Sequence, residues 1–313
     1  MIRFIIRRLL QSAGLLFVVS SLTFVLISFI PGSVATALYG LSATPAQLAA
    51  INRKLGFDKP LYTQYWHWLE KALHGNLGES LLNGQSVAQI LNGRLVVTLD
   101  LVIGTILVVT VAGVGLGVLT ALRGGWAARA VDRLSWLGQG FPNFWVALLL
   151  VSLFAVSLRL LPTQGYVSFS TSPRQWLESL VLPVISLSVG PLAVLMKQTR
   201  SSMVEELSRD YVRTLRAAGM SEVSIVLRHA LRNAAPPILT VLGLVFVGLL
   251  GGTVVVEQVF NLPGLGSLAT SSVPNHDLPV IEGMVMYFTI MVIIVNLLLD
   301  VLYLWLNPRI RVS

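Results

Sequence analysis

The sequence predicts an all-α membrane protein with six transmembrane helices and both termini on the cytoplasmic side. Only 12% of its 313 residues are charged, whereas a soluble domain has about 25%, and the mean hydropathy is +0.78. Each of six apolar stretches is near the roughly 20 residues that a helix needs to cross hydrocarbon. They are Leu9–Ile30, Leu95–Leu122, Leu134–Leu158, Leu180–Met196, Ala234–Val256 and Val280–Leu306.

The basic residues orient these helices. With the N-terminus inside, fifteen of the 22 Lys and Arg residues fall in cytoplasmic segments, as the positive-inside rule requires. The net charge of +8 has the same origin, because most basic residues flank apolar spans. It therefore indicates a lipid bilayer as partner and not nucleic acid. The sequence therefore places both termini in the cytoplasm.

The first span follows Arg3, Arg7 and Arg8 and has the basic start of a signal peptide. Its apolar stretch is longer than that of a signal peptide, and Ile30-Pro31-Gly32 is a poor cleavage site. We interpret it as an uncleaved helix.

The long external segment between the first two spans predicts a small helical subdomain. Thr44 and Pro45 mark the start of one amphipathic helix, a second follows Pro60 and ends at Gly75, and a weaker third covers Ser86–Leu91. We expect residues 1–94 to form the first helix with this subdomain, and residues 95–313 to form a five-helix core.

An aromatic stripe on the second external helix allows two interpretations. Tyr62, Tyr65 and Trp66 suit either a packed core and interfacial belt or a contact with an external partner.

The stretch 197–233, between the fourth and fifth spans, carries seven basic residues and its own helix signals. Met203, Leu207, Tyr211 and Leu215 recur every four residues, which predicts one helix ending at Gly219. Ser221 then caps a short second helix, 221–227, with Glu222 in its first turn. Its apolar face consists of Val223, Val226 and Leu227. A compact helix pair on the cytoplasmic side predicts a docked partner.

Several chemistries are disfavoured. The sequence has no cysteine and no lysine that follows a glycine, so it lacks thiol sites and the phosphate-binding Gly-Lys pair of ATPases. His67 and His74 are seven residues apart on one helix, about 10.5 Å along its axis, too far to share a metal ion. We expect no enzyme activity, no metal site and no cofactor.

Charged and small residues inside the spans are candidates for a pathway or for helix packing. Asp100 and Asp300 lie near the membrane interfaces, where they serve either as structural partners or, less suitably, as proton relays. Gly248, Gly251 and Gly252 in the fifth span permit close helix approach or motion within the bundle.

The helix pair resembles a known family. Asp210–Gly219 (DYVRTLRAAG), His229–Ala234 (HALRNA) and Pro236-Pro237 are similar to the EAA loop of ABC importer permeases, in its peptide/nickel branch. Further matches in order are Arg7-Arg8, Pro31-Gly32, Leu55–Pro60, Gln64-Tyr65, Gly75–Ser80, Pro263–Gly266 and Asn307–Arg311. This sequence has Arg213-Thr214-Leu215 where the family has the Glu-Ala-Ala that names the loop. An ion pair made by the family's glutamate is therefore not expected in this chain.

The resemblance implies a coupling helix, Ser221–Leu227, seated in a groove of a cytoplasmic ATPase. The implied ATPase-coupling residues are Tyr211, Arg213, Thr214, Ala217, Ala218, Gly219, Ser221, Glu222, Val223, Val226 and Leu227. The implied partners are a second homologous permease subunit, two ATPase subunits that bind ATP and Mg, and an extracytoplasmic substrate-binding protein. The implied location is the bacterial inner membrane, with peptides, glutathione or a nickel chelate as substrate.

Two other functional classes remain open at this point. An ion-coupled secondary transporter would need no ATPase, and is disfavoured by the docking loop and by the lack of mid-membrane charges. A membrane-embedded enzyme would need a catalytic pair inside the bilayer, and the spans contain none.

Overall fold

The computed structural model describes residues 2–29, 53 and 58–306, and in this part of the chain the predicted all-α class is confirmed. The helices are α1 (Ile2–Ser28), α2 (Leu61–Leu73), α3 (Val87–Arg123), α4 (Gly125–Gly140), α5 (Asn143–Leu150), α6 (Pro173–Leu207), α7 (Asp210–Ala217), α8 (Glu222–Ser224), α9 (Leu231–Val259), α10 (Leu265–Ser272) and α11 (Leu278–Leu306). Two π-helical stretches, Val151–Ser157 and Ile225–Ala230, follow α5 and join α8 to α9. Among the described residues, β-pairing is limited to one isolated bridge between Glu79 and Ser86.

Within residues 2–29, 53 and 58–306, five helical segments are long and apolar enough to span a membrane. They are Leu10–Ser28, Val87–Arg123, Pro173–Leu207, Glu222–Val259 and Leu278–Trp305. They contain five of the six predicted apolar stretches, except for the end residues of the first and sixth stretches. The helices that contain the fourth and fifth predicted stretches extend well beyond the apolar residues. The count of six helices and the cytoplasmic position of both termini stay predictions.

The predicted third span, Leu134–Leu158, is not one uninterrupted helix. Helix α4 ends at Gly140, the backbone is extended at Phe141 and Pro142, and α5 starts at Asn143. Proline disfavours the helical conformation in the residue before it, which explains the interruption at this position. The remaining apolar helical segment, Asn143–Ser157, is shorter than the other candidate spans.

The segment between the first two predicted spans differs from its prediction in one helix. Helix α2 follows Pro60 and ends just before Gly75, whose φ is +80°, as predicted. Ser86–Leu91 is not a separate helix, because Val87 begins the continuous 37-residue α3. The polar residues after Leu91 break the apolar pattern without breaking the helix. The helix predicted to start at Thr44 lies outside the described residues.

Tyr65 fixes α2 against α1. Its ring makes edge contacts with Phe17 and Phe24, at centroid distances of 6.1 and 5.5 Å, and its hydroxyl is 2.9 Å from the Ser20 hydroxyl. Tyr62 and Trp66 are exposed. The core interpretation therefore holds for Tyr65, and the other two aromatic residues are free to meet lipid or a partner.

The chain divides into two compact units. One comprises Met1–Thr98 with Pro263–Ile293, and the other comprises Leu99–Leu262 with Ile294–Ser313. In the second unit, α6 contacts α4, α5 and α9. An ion pair of 2.9 Å between Arg200 and Asp132 and a hydrogen bond from Ser135 to the carbonyl of Ala193 join α6 to α4.

In the first unit, buried polar contacts join α3 to α10, and the segment before α3 to the segment before α11. Asp277, only 2% exposed, accepts hydrogen bonds from the Ser80 hydroxyl and from the Leu81 N–H. The Leu265 N–H donates to Thr98 Oγ1 over 2.8 Å. These bonds satisfy backbone and carboxylate groups that burial would otherwise leave unpaired.

Helices α3 and α6 approach closely at Gly117. A Cβ atom at this position would lie 2.5 Å from Thr199 Cβ and 2.9 Å from the Met196 carbonyl oxygen. At Gly115, in the same helix, a Cβ atom would meet nothing within 4 Å. Alanine substitutions at these two glycines therefore distinguish the effect of packing from the effect of helix propensity.

We predict that Gly117→Ala lowers the free energy of unfolding by about 1–3 kcal/mol, because an added methyl group overpacks this contact. Gly115→Ala is the matched control and should leave stability unchanged or raise it, since alanine favours helix over glycine. Thermal unfolding of both full-length variants in the same detergent measures this. Equal melting temperatures for the two variants would contradict the α3–α6 contact.

Candidate functional site

The segment between α6 and α9 begins with a break that the sequence did not reveal. The continuous helix predicted through Met203 and Leu215 is wrong, because α6 ends at Leu207 and α7 begins at Asp210. Arg209 between them has extended backbone angles, and the Ser208 hydroxyl donates to the carbonyl of Glu205. Such local side-chain bonds compete with helix continuation.

The turn after α7 is built on Gly219, as predicted. Its φ is +77°, a conformation that glycine adopts at little cost. The Gly219 N–H bonds to the carbonyl of Arg216 and the Met220 N–H to the carbonyl of Leu215, which is the Schellman arrangement of a helix C-terminus. This turn reverses the chain toward the 221–227 segment.

Ser221 caps the following helix, also as predicted. Its side-chain oxygen accepts from the N–H of Ser224 at 3.4 Å, and Glu222 occupies the first turn, where a negative charge suits the helix dipole. The predicted separate short helix ending at Leu227 is wrong. The helical backbone runs without a break from Glu222 through the π-helical stretch to Val259, so Arg228 lies inside a long helix and not at a helix end.

The apolar face predicted for the 221–227 segment is divided between the interior and the surface. Val226 is only 4% exposed and belongs to a buried cluster with Met203, Ala230 and Ala234. Val223 and Leu227 are 69% and 58% exposed. Four residues apart, they lie on one face of the helix and form an apolar pair, which we call the outer pair.

An ion pair connects α7 to the 221–227 segment across the Gly219 turn. Arg216 Nε is 2.6 Å from Glu222 Oε1, and Arg216 Nη2 is 3.2 Å from Glu222 Oε2. These hydrogen bonds raise the pKa of Arg216. Because both side chains are exposed, the pair adds little to stability, but its two-point geometry fixes the angle between the two elements.

Most of the implied coupling residues lie on the surface. Those exposed are Arg213, Thr214, Ala217, Ala218, Gly219, Ser221, Glu222, Val223 and Leu227. Tyr211 is half-buried and Val226 is buried, so these two face the protein itself. The exposed residues therefore lie together on the surface around the Gly219 turn.

Sequence reasoning missed the residues beneath this area. Glu206 and Asn233 both bond to Tyr211, at 3.0 and 3.2 Å, and Val212 is fully buried. Burial, aided by the hydrogen bond to Glu206 and opposed by the one from Asn233, raises the pKa of Tyr211. The only sequence signal was the placement of Glu206, three residues before Arg209, which allows an ion pair on one helical face.

Asp100 has structural partners in other segments of the chain. One of its carboxylate oxygens accepts hydrogen bonds from the Tyr166 hydroxyl and from Trp176 Nε1, both at 2.7 Å. Burial, and then the bond to Asp100, raises the pKa of Tyr166 to about 12. These contacts join α3 to the segment before α6 and to the first turn of α6 itself, which favours the structural interpretation.

The three glycines of α9 differ in their surroundings. At Gly252 a Cβ atom would lie 3.1 Å from Asn143 Nδ2, whereas at Gly248 and Gly251 it would meet nothing within 4 Å. Close helix packing therefore accounts for Gly252 alone. Asp300 is half-buried in α11. In the part of the chain that the structure describes, no three His, Cys, Asp or Glu side chains are grouped as metal ligands.

Known families and proteins match nearly the whole chain. The family described as "Binding-protein-dependent transport system inner membrane component" matches residues 113–312, and its N-terminal counterpart matches residues 1–102. A putative peptide transport system permease protein of Brucella abortus (strain 2308) is 40% identical over 308 residues, 98% of each chain. The glutathione transport system permease protein GsiC of Escherichia coli (strain K12) is 39% identical over 315 residues, 99% of each chain.

A solved structure shares the fold. A chain of the inward-facing MetNI methionine ABC transporter aligns with a TM-score of 0.57 and 17% identity, covering 70% of this chain and 97% of that one. At this identity the likeness concerns the fold alone. The family matches and the full-length relatives carry the assignment: the chain belongs to the binding-protein-dependent transport system inner membrane components, as an ABC importer permease of the peptide branch and a multi-pass inner-membrane protein.

Proposed function

We propose that this chain forms half of the translocation pathway of an importer for short peptides and that its 221–227 segment transmits the ATPase cycle to the bundle. The outer pair carries this proposal. Val223 and Leu227 are exposed to solvent at the start of a helix, next to a rigid turn and an ion pair. A desolvated apolar anchor within a polar rim is typical of the centre of a protein–protein contact.

The position of the loop supports docking outside the membrane. Helix α6 has 35 residues and the helical segment 222–259 has 38, so they measure about 52 and 57 Å at 1.5 Å per residue. The hydrocarbon layer is only about 30 Å thick. Most of this excess lies at the joined ends, because the apolar stretch of α6 ends at Met196 and that of the second segment begins at Ala234. These ends therefore project beyond the hydrocarbon, where a soluble subunit can reach them.

The buried side of the segment supports force transmission. Val226 and Ala230 pack in one cluster with Val109 of α3, Leu195 of α6 and Ile238 of α9. Packed helices shift as units rather than deform. Movement of the outer pair would therefore move three helices together, as the rocking of an importer requires.

The proposed assembly contains a second homologous permease subunit, two ATPase subunits and an extracytoplasmic substrate-binding protein. ATP and Mg would bind to the ATPases, and this chain would be non-catalytic and bind no cofactor. We further propose six membrane helices with α4 and α5 supplying the third, both termini in the cytoplasm, and a division at residues 94/95. The family matches that end at residue 102 and begin at residue 113 support two parts.

Peptides are the substrate class that the relatives favour. Their names include peptide and glutathione permeases, and glutathione is itself a tripeptide. In proteoliposomes containing the full transporter, we expect ATP-dependent uptake of labelled di- to tetrapeptides supplied with the binding protein. Uptake of a nickel chelate with no peptide uptake would contradict this assignment.

We predict that Leu227→Glu prevents assembly with the ATPase, because it places a charge at the centre of the apolar contact. Loss of a central anchor costs about 2 kcal/mol or more, so affinity should fall by about 30-fold or more. Leu227→Met keeps the apolar character and should assemble normally. Val204→Glu, at an exposed valine of α6, controls for added charge. Co-purification and binding assays in lipid nanodiscs measure the affinity, and normal assembly of Leu227→Glu would exclude the outer pair as the docking site.

We predict that Gly219→Leu uncouples transport while membrane insertion stays normal. No atom lies within 4 Å of the added Cβ, so the effect arises from backbone strain at positive φ, about 1–2 kcal/mol. Gly219→Asn is the control, because asparagine tolerates this conformation and should keep most activity. The measurement is peptide uptake relative to ATP hydrolysis. Equal uptake by both variants and the unmodified protein would show that the turn geometry is unimportant.

A further inference from the structure

Two adjacent glutamates end α6 in opposite environments. The Glu205 side chain is 72% exposed and that of Glu206 is only 7% exposed. Both carboxylates pair with the same residue, Arg209, at 3.2 and 3.0 Å. Burial of a carboxylate is costly unless its oxygens are paired, so the environment of Glu206 requires explanation.

Both oxygens of Glu206 have partners from the loop. Oε1 pairs with the guanidinium of Arg209, and Oε2 accepts a hydrogen bond from the Tyr211 hydroxyl at 3.0 Å. The Tyr211 oxygen in turn accepts from Asn233 Nδ2 at 3.2 Å. We call Glu206, Arg209, Tyr211 and Asn233 the polar hub.

The hub joins three separate elements. Glu206 belongs to α6, Tyr211 to α7 and Asn233 to the first turn of α9. It therefore bridges the break at Ser208–Arg209, where the N–H groups of these two residues still bond to the carbonyls of Glu205 and Glu206 but the helix does not continue into α7. Beside it, Leu207 and Leu231 pack against the buried apolar cluster, so this cluster and the hub together restrain the loop.

We infer that Glu206 is a positioning residue for coupling: it locks the loop to α6 and α9 so that displacement of the outer pair reaches the membrane helices. This inference rests on the proposed function. Removal of one partner from a buried charged network is much more disruptive than loss of an exposed pair. Loosening the hub leaves the docking surface in place but allows the loop to move without the bundle.

The test compares Glu206→Gln with Glu205→Gln in the full transporter, with its ATPases and binding protein, in proteoliposomes. Both variants remove one charge that faces Arg209, but only the first alters the buried hub. Tyr211→Phe removes the hydroxyl from the same hub and guards against a folding defect specific to position 206. The measured quantity is the number of ATP molecules hydrolysed per peptide imported.

We expect Glu206→Gln and Tyr211→Phe to bind the ATPase normally and to raise this ratio about fivefold or more, the lower range of typical coupling energies. Glu205→Gln should keep the ratio of the unmodified protein. The inference would be overturned if the ratio stayed unchanged in Glu206→Gln and Tyr211→Phe, or if it rose equally in Glu205→Gln. Loss of ATPase binding by both hub variants would also overturn it. Failure of the unmodified chain to stimulate peptide-dependent hydrolysis would instead contradict the proposed function itself.

Discussion

The buried cluster around Met203 and Val226 is the contact on which the rest of the loop depends. It joins α3, α6, the π-helical stretch and α9 through side chains that are almost completely buried. Because close-packed interiors transmit displacement instead of absorbing it, this cluster makes the 221–227 segment part of the bundle. A flexible tether with the same surface residues would bind a partner without moving the helices.

The division of the 221–227 segment follows from that contact. Val226 is packed in the cluster, whereas Val223 and Leu227 of the same helix are exposed. The Gly219 turn and the Arg216–Glu222 pair then fix the direction in which the outer pair is presented. Family membership and this geometry both support the proposed docking surface, whereas an ion-coupled carrier would have no need of this arrangement.

Features set by neighbouring residues were predictable, and features set by distant residues were not. The Gly219 stop and the Ser221 cap depend on a few adjacent residues, and both were correct. The break at Pro142 carried a local signal, but the apolar composition around it dominated the interpretation. The partners of Asp100 lie 66 and 76 residues away along the chain, and Asn233 reaches Tyr211 from 22 residues away, so a single sequence gives no indication of these contacts.

Thiol labelling tests the central claim most directly, because the chain contains no cysteine. Val223→Cys and Leu227→Cys would each introduce a single thiol in the outer pair. Val204→Cys would introduce a single thiol at an exposed position of α6. The rate of maleimide labelling of this chain is measured in membranes with and without the ATPase. We expect the ATPase to protect positions 223 and 227 and not position 204, whereas equal labelling rates with and without it at all three would contradict docking at this surface.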